Sequence, residues 1–154
     1  MGVGLSIEDC YRKWAVELAR YATALVGSAD AADLVGEAFA TLVALGDAHW
    51  ATVREPRGYL YRMILNASLM TARQGSRRRR REQRWVDPPA GELLPRPEVR
   101  AALDGLTTQQ RAITFLTYWE DMSVTQVGTV LRVSEGTVKR QLARARTRLR
   151  KALA

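Results

Sequence analysis

The sequence predicts an all-α protein built as two small helical domains joined by a flexible, Pro-rich linker. Three observations carry this. Apolar residues recur at steps of three and four along most of the chain, the spacing of one helix face. Alternating strand patterns are nearly absent. Four of the five prolines gather between Trp85 and Pro97, where missing amide donors and fixed φ angles favour extended backbone. A chain of 154 residues accommodates one ordinary domain or two small ones. The expected division is residues 1–84, a linker at 85–97, and residues 98–154.

The elements follow in order. Ser6 with Asp9 three residues on predicts a capped first helix. Its apolar stripe is Ile7, Cys10, Tyr11, Trp14, Leu18, Tyr21 and Leu25. Gly27 ends it. Ser28 and Asp30 open a second helix, with Leu34, Ala38, Leu42 and Leu45 on its face and Gly46 at its end. "DAHWATVREPRG", residues 47–58, reads as a loop punctuated by Pro56 and Gly58. A third helix carries Leu60, Ile64, Leu65 and Leu69 and extends to about Arg73. The run Arg77 to Arg81 is expected to be a helix end or a solvated tail, because adjacent cations repel. Past the linker, Glu98 to Asp104 forms a short helix ended by Gly105. Thr107 with Gln110 caps the next, with Ala112, Ile113, Leu116 and Trp119 as core candidates. Ser123 with Gln126 caps another, and the last helix starts after Ser134 and runs to the C-terminus.

Composition narrows the function. The formal charge is +8 and the pI about 10.4, a balance that favours a polyanionic partner. Cys10 and His49 are the single cysteine and histidine, so neither an intrachain disulfide nor a structural zinc site is expected. Cys10 lies on an apolar stripe, where a packed thiol is expected ahead of a redox sensor. With no phosphate loop and no clustered carboxylates, no catalytic residues, metal or other cofactor, or small-molecule substrate are expected. The N-terminus lacks a charged and apolar leader, and no stretch of about 20 apolar residues exists to span a membrane. A cytoplasmic location is therefore expected.

The charge is concentrated. From Arg132 to Lys151 there are eight cations and one acid, Glu135. "SVTQVGTVLRVSEGTVKRQLARAR", residues 123–146, reads as two short amphipathic helices separated by a tight turn. The first offers Val124, Val127 and Leu131 to a core, the second Val138, Leu142, Ala145 and Leu149. Lys139, Arg140, Ala143, Arg144 and Thr147 fall on the other side. A cap, a short turn and a basic outer face are what a helix-turn-helix reader needs in a major groove about 12 Å wide. A membrane-surface helix is disfavoured, since the outer side lacks bulky apolar residues. The N-terminal half carries a second signal. Trp50, Arg54 and Arg57 in the loop, and Tyr61, Arg62, Asn66 and Arg73 on the helix, would suit splayed single-stranded bases. Trp50, Tyr59 and Tyr61 serve equally well as core residues. On this pattern alone, a dimeric helix-turn-helix repressor and a single-strand-binding module remain alternatives.

Three stretches carry a family resemblance: "SADAADLVGEAFATLVA" (28–44), "EPRGYLYRMILNASL" (55–69) and residues 106–150. In order and spacing they resemble regions 2.2, 2.3 and 4 of group 4, extracytoplasmic-function (ECF) sigma factors of bacterial RNA polymerase, in the sigma-70 family. The resemblance implies a transcription initiation factor that binds core polymerase and recognises the −35 duplex and the opened −10 strand. It implies polymerase contact by Asp33, Glu37 and Phe39 at the β′ clamp helices and by residues 106–122 at the β flap. It implies −10 contact by Trp50, Arg54, Arg57, Asn66, Arg73 and Arg77. For the −35 element it implies Glu135, Thr137, Lys139, Arg140, Ala143 and Arg144. An anti-sigma factor is a further implied partner, and promoter DNA the nucleic acid. The chain departs from the family pattern at Gly36, Met70 and Gly128, and at Arg140, Gln141 and Ala143 on the reading helix. Glycine at position 128 is expected to cost up to about 1 kcal/mol within a helix. The final Ala-Leu-Ala is a small apolar end of the kind some proteolytic systems recognise.

Overall fold

The computed structural model describes residues 4–82 and 96–154, with side chains at 4–71 and 96–154. Among the described residues there are eight helices and no strand. The first group is α1 (Ile7–Val26), α2 (Ser28–Leu45), α3 (Asp47–Trp50) and α4 (Pro56–Glu82). The second is α5 (Pro97–Asp104), α6 (Thr108–Tyr118), α7 (Val124–Leu131) and α8 (Glu135–Leu153).

Local chemistry sets the helix starts. Ser6 Oγ accepts the Asp9 amide at 3.0 Å, and the Asp9 carboxylate accepts the Ser6 amide at 3.4 Å, completing the expected capping box. Thr107 with Gln110 and Ser123 with Gln126 repeat it. Ser134 caps α8 through the Thr137 amide at 3.1 Å. Gly27 and Gly46 sit at φ +94° and +88°, a region open to glycine and strained for other residues. Each ends one helix and begins the next: the Gly27 amide donates to Thr23 O, and its carbonyl accepts the Ala31 amide. Ser28 is the first helical residue, but no side chain caps α2.

Three expected boundaries move. The segment 47–58 is only partly loop: Asp47–Trp50 makes one helical turn, and α4 begins at Pro56. Proline fits a first helical position because its missing amide would have had no partner there. Pro97 opens α5 for the same reason, one residue ahead of the expected start. α4 continues past Arg73 through Arg77–Arg81 to Glu82; arginine is a good helix former, which offsets repulsion along the run. The expected linker at 85–97 lies outside the described residues up to position 95.

Leu18, Tyr21 and Leu25 of α1, Leu34, Ala38 and Leu42 of α2, and Leu60, Tyr61 and Ile64 of α4 are buried together. The same core continues into α6 and α7 through Ile113, Phe115, Leu116 and Val127. The Tyr21 ring joins the two groups, 4.7 Å from Tyr61 and 5.6 Å from Phe115. Fully burying each of the leucine, isoleucine, valine and phenylalanine side chains is worth about 1.5–3 kcal/mol. Leu103, Leu106 and Ala145 form a smaller cluster under α5. Trp119 is not a core residue. It is half exposed and stacks on Phe115 at 5.9 Å, because α6 ends one residue earlier and the chain turns through Asp121 at φ +52°. Leu45 and Tyr11 are also about half exposed.

Candidate nucleic-acid and polymerase interface

The helix-turn-helix is α7, a turn and α8. Val127 and Leu131 pack with Val138 and Leu142 beneath it. Arg132 closes α7 in the left-handed region, φ 55° and ψ 46°, and the Val133 amide reaches back to Gly128 O at 3.0 Å. Gly128 is buried where a Cβ would stand 2.8 Å from the Val133 carbonyl. The glycine expected only to weaken the helix is therefore what allows this turn to close so tightly.

On α8 the predicted reading residues share an exposed surface. Lys139, Arg140, Ala143 and Arg144 are exposed. Lys139 and Arg144 form no hydrogen bond or ion pair with the described residues. Arg140 makes one long bond, 3.4 Å, to Thr137 Oγ1. Thr137 is half-buried in the cap and also accepts from Ser134 Oγ at 2.9 Å. Glu135 is tied to α7 by the Thr125 hydroxyl at 2.7 Å. Two other cations of the helix are committed internally. Arg146 donates to the Tyr118 hydroxyl at 2.7 Å and Arg148 to Gln110 Oε1 at 3.1 Å. Lys139 and Arg144 thus lie exposed on the side facing away from the core.

The junction of α3 and α4 builds a second surface. His49 hydrogen-bonds the Tyr59 hydroxyl at 2.8 Å. The Arg62 guanidinium lies 5.7 Å from the centre of the Tyr59 ring. These residues, with Arg54, border a cavity of about 620 Å³ whose far wall is Met122, Thr129 and Val130. Arg54 and Asn66 are exposed. Two expected contacts are buried. Trp50 is buried, its indole N–H donating to Leu5 O at 2.6 Å, so its ring supports the junction from below. Tyr61 is wholly buried against Tyr21. The side chains of Arg73 and Arg77 lie outside those described, although both positions are helical.

Arg57 is held by carboxylates. Its Nε donates to Glu17 at 3.0 Å, and its Nη2 contacts both Glu17 and Glu120, the latter at 3.1 Å. Burial would raise Glu17, but the hydrogen bonds and charge of Arg57 hold its pKa below the ordinary value. Burial, then the adjacent Glu17, push Glu120 up to about 7. The Glu17 hydrogen bond raises Arg57. Nothing in the sequence links Glu17 and Glu120 to this site, because each sits far along the chain from Arg57.

On α2, Asp33 and Glu37 are exposed one turn apart. Phe39 is not on that surface: it is buried and meets Tyr11 edge-on at 5.1 Å. Val16 and Val43 are exposed apolar residues of α1 and α2 that the sequence did not single out. A separate apolar cleft of about 690 Å³ lies between α5, α6 and α8, lined by Val99, Leu103, Trp119, Leu149 and Leu153. Cys10 is buried, and burial followed by the Asp9 charge raises its pKa, which disfavours a reactive thiolate. No described helix is long and apolar enough to cross a membrane.

Fold and charge together define a helical DNA-binding protein of the helix-turn-helix type. Comparison with known proteins makes the class specific. Residues 10–84 match Sigma-70 region 2, and residues 96–149 match Sigma-70, region 4. The chain is 30% identical over 161 residues to the RNA polymerase sigma-E factor of Streptomyces coelicolor, covering 99% of this chain and 89% of that protein. It shares its fold with the sigma factor RpoE of Bartonella quintana, solved with the anti-sigma factor NepR (TM-score 0.68, 22% identity, 95% and 97% of the two chains). It is also similar to CnrH, solved with the cytosolic domain of CnrY (TM-score 0.67, 27% identity, 99% and 90%). The chain belongs to the ECF group of the sigma-70 family, whose members are transcription initiation factors that direct RNA polymerase to promoters.

Proposed function

We propose that this chain recruits core polymerase by dividing promoter recognition between its two helical groups, residues 1–84 and 98–154, with 85–97 as the span between them. The observation that carries the reading is the capped α8, whose Lys139 and Arg144 are exposed and uncommitted among the described residues. Arginine and lysine can donate to guanine N7 and O6, so α8 reads the −35 duplex. Arg140 and Ala143 flank that contact, while Glu135 and Thr137 set the helix entry through their bonds to Thr125 and Ser134.

The opened −10 strand lies along the α3–α4 junction and the outer side of α4. Arg54, Arg57, Arg73 and Arg77 follow its phosphates, and Asn66 faces a base. Tyr59, propped by His49, offers the stacking ring that Trp50 does not. Unstacking a base costs a few kcal/mol, which a stacking ring and hydrogen bonds can offset. Asp33 and Glu37 meet the β′ clamp helices, with Phe39 supporting them from the core. The apolar cleft beside α6 suits the β flap. An anti-sigma factor is a fitting regulator, given the partner chains solved with RpoE and CnrH. The bond chemistry belongs to the polymerase. Run-off transcription with core polymerase and fragments of the source genome tests the reading: discrete transcripts that require the protein are expected. Failure to yield transcripts, together with failure to bind core, would overturn it in favour of a stand-alone repressor.

A further inference from the structure

The two helical groups close on each other through polar contacts that have no counterpart in the sequence pattern. Arg62 donates to Val130 O at 3.0 Å, and Arg100 donates to Thr23 O at 3.0 Å. The Gly58 backbone packs near Val130. Among these contacts lies one charged cluster: Glu17 from α1, Arg57 from the first turn of α4, and Glu120 two residues past the end of α6. The carboxylates are mostly covered, with side-chain exposures of 20% and 17%. Both reach the same guanidinium nitrogen, Arg57 Nη2. Two carboxylates forced together cannot both ionise without repulsion.

We propose that the Glu17–Arg57–Glu120 cluster is a proton-operated latch that holds α6 and α7 across the α3–α4 junction. The groups facing Glu120 are Glu17 and Arg20 from α1 and Arg57 and Tyr61 from α4. In the closed form the carboxyl pair retains a proton up to about pH 7. In the open form Glu120 meets water and ionises in the ordinary carboxylate range. The closed form therefore binds the extra proton. Its advantage is complete in acid and is lost as pH rises through the closed-state value. The remaining contacts, Tyr21 on Phe115 and Arg62 on Val130 O, involve no proton and set the baseline.

The latch bears on recognition, and this step rests on the proposed −10 role. When it is closed, Arg57 is held by two carboxylates and Arg62 by a carbonyl, and α7 walls the junction cavity. Opening frees both cations for a DNA strand.

The test is small-angle scattering of the full chain at constant ionic strength from pH 6 to pH 8. The ratio of closed to open form is expected to fall by up to about tenfold per pH unit between the two carboxyl states, seen as a rising radius of gyration. Glu120→Gln, whose amide can donate without a proton, should keep the small radius throughout. Glu120→Arg, opposed to Arg57, should be expanded throughout, with circular dichroism confirming retained helix. A wild-type radius that does not change with pH would overturn the latch. So would a pH response that survives Glu120→Gln, since it would then come from elsewhere. Anisotropy of a labelled single-stranded −10 oligonucleotide forms a second arm, with tighter binding expected at pH 8 than at pH 6. If the radius responds but the strand never binds, the latch stands and the −10 reading falls.

Discussion

Gly36 and Gly128 both lie inside helices, and the structure gives them different signs on replacement by alanine. Gly36 is exposed in the middle of α2, and a Cβ there meets nothing within 4 Å. Gly36→Ala removes the backbone freedom of glycine in the unfolded chain and should stabilise by about 0.5–1 kcal/mol. For a chain of this length, 1 kcal/mol shifts the Tm by about 2–4 °C. Gly128 has the same propensity to gain but no room. Its Cβ would stand 2.8 Å from Val133 O, a backbone atom in a turn fixed by the Val133–Gly128 hydrogen bond and by Arg132 in the left-handed region. Forcing a methyl into a packed site costs about 1–3 kcal/mol, so Gly128→Ala should be neutral to destabilising by up to about 2 kcal/mol. Thermal and urea unfolding of the two variants beside the parent measures this directly. If Gly128→Ala raises the Tm as much as Gly36→Ala, the turn yields freely and the steric account of the helix-turn-helix is refuted.

Arg144→Ala should lower discrimination at the −35 element by about 1–3 kcal/mol if the side chain reads guanine. Competition binding against single-base variants of the site checks it, and an equal loss on every sequence would reduce Arg144 to a phosphate contact. Ser123→Ala removes one half of a capping box and should cost about 1 kcal/mol, read as a lower urea midpoint; an unchanged midpoint would mean the cap is replaced by water. Trp50→Phe leaves the Leu5 carbonyl without the indole donor and should cost about 1–3 kcal/mol. A loss of strand binding with unchanged stability would instead return Trp50 to the DNA surface.

Features set over short chain distances were legible in the sequence. Ser6, Thr107, Ser123 and Ser134 lie within three residues of the amides they cap, so each helix start depends on neighbours the sequence displays side by side. The basic face of α8 was legible too, since a helix places residues three and four apart on one side whatever the rest of the chain does. The turn at 47–50 was not, because a single helical turn has no periodicity of its own and forms here by packing Trp50 against the N-terminal segment. Phe39 and Trp119 exchanged their expected settings for the same kind of reason. Phe39 was placed by the family resemblance and Trp119 by a local apolar pattern, but only the neighbouring elements decide that Phe39 is covered by Tyr11 and that Trp119 is left on a rim. The sharpest case is Arg57. Its positive charge and its place beside Pro56 are sequence facts. Its capture between Glu17 and Glu120 exists only because α1, α4 and α6 converge, and the energy of a charge depends on what the fold brings within a few ångströms of it.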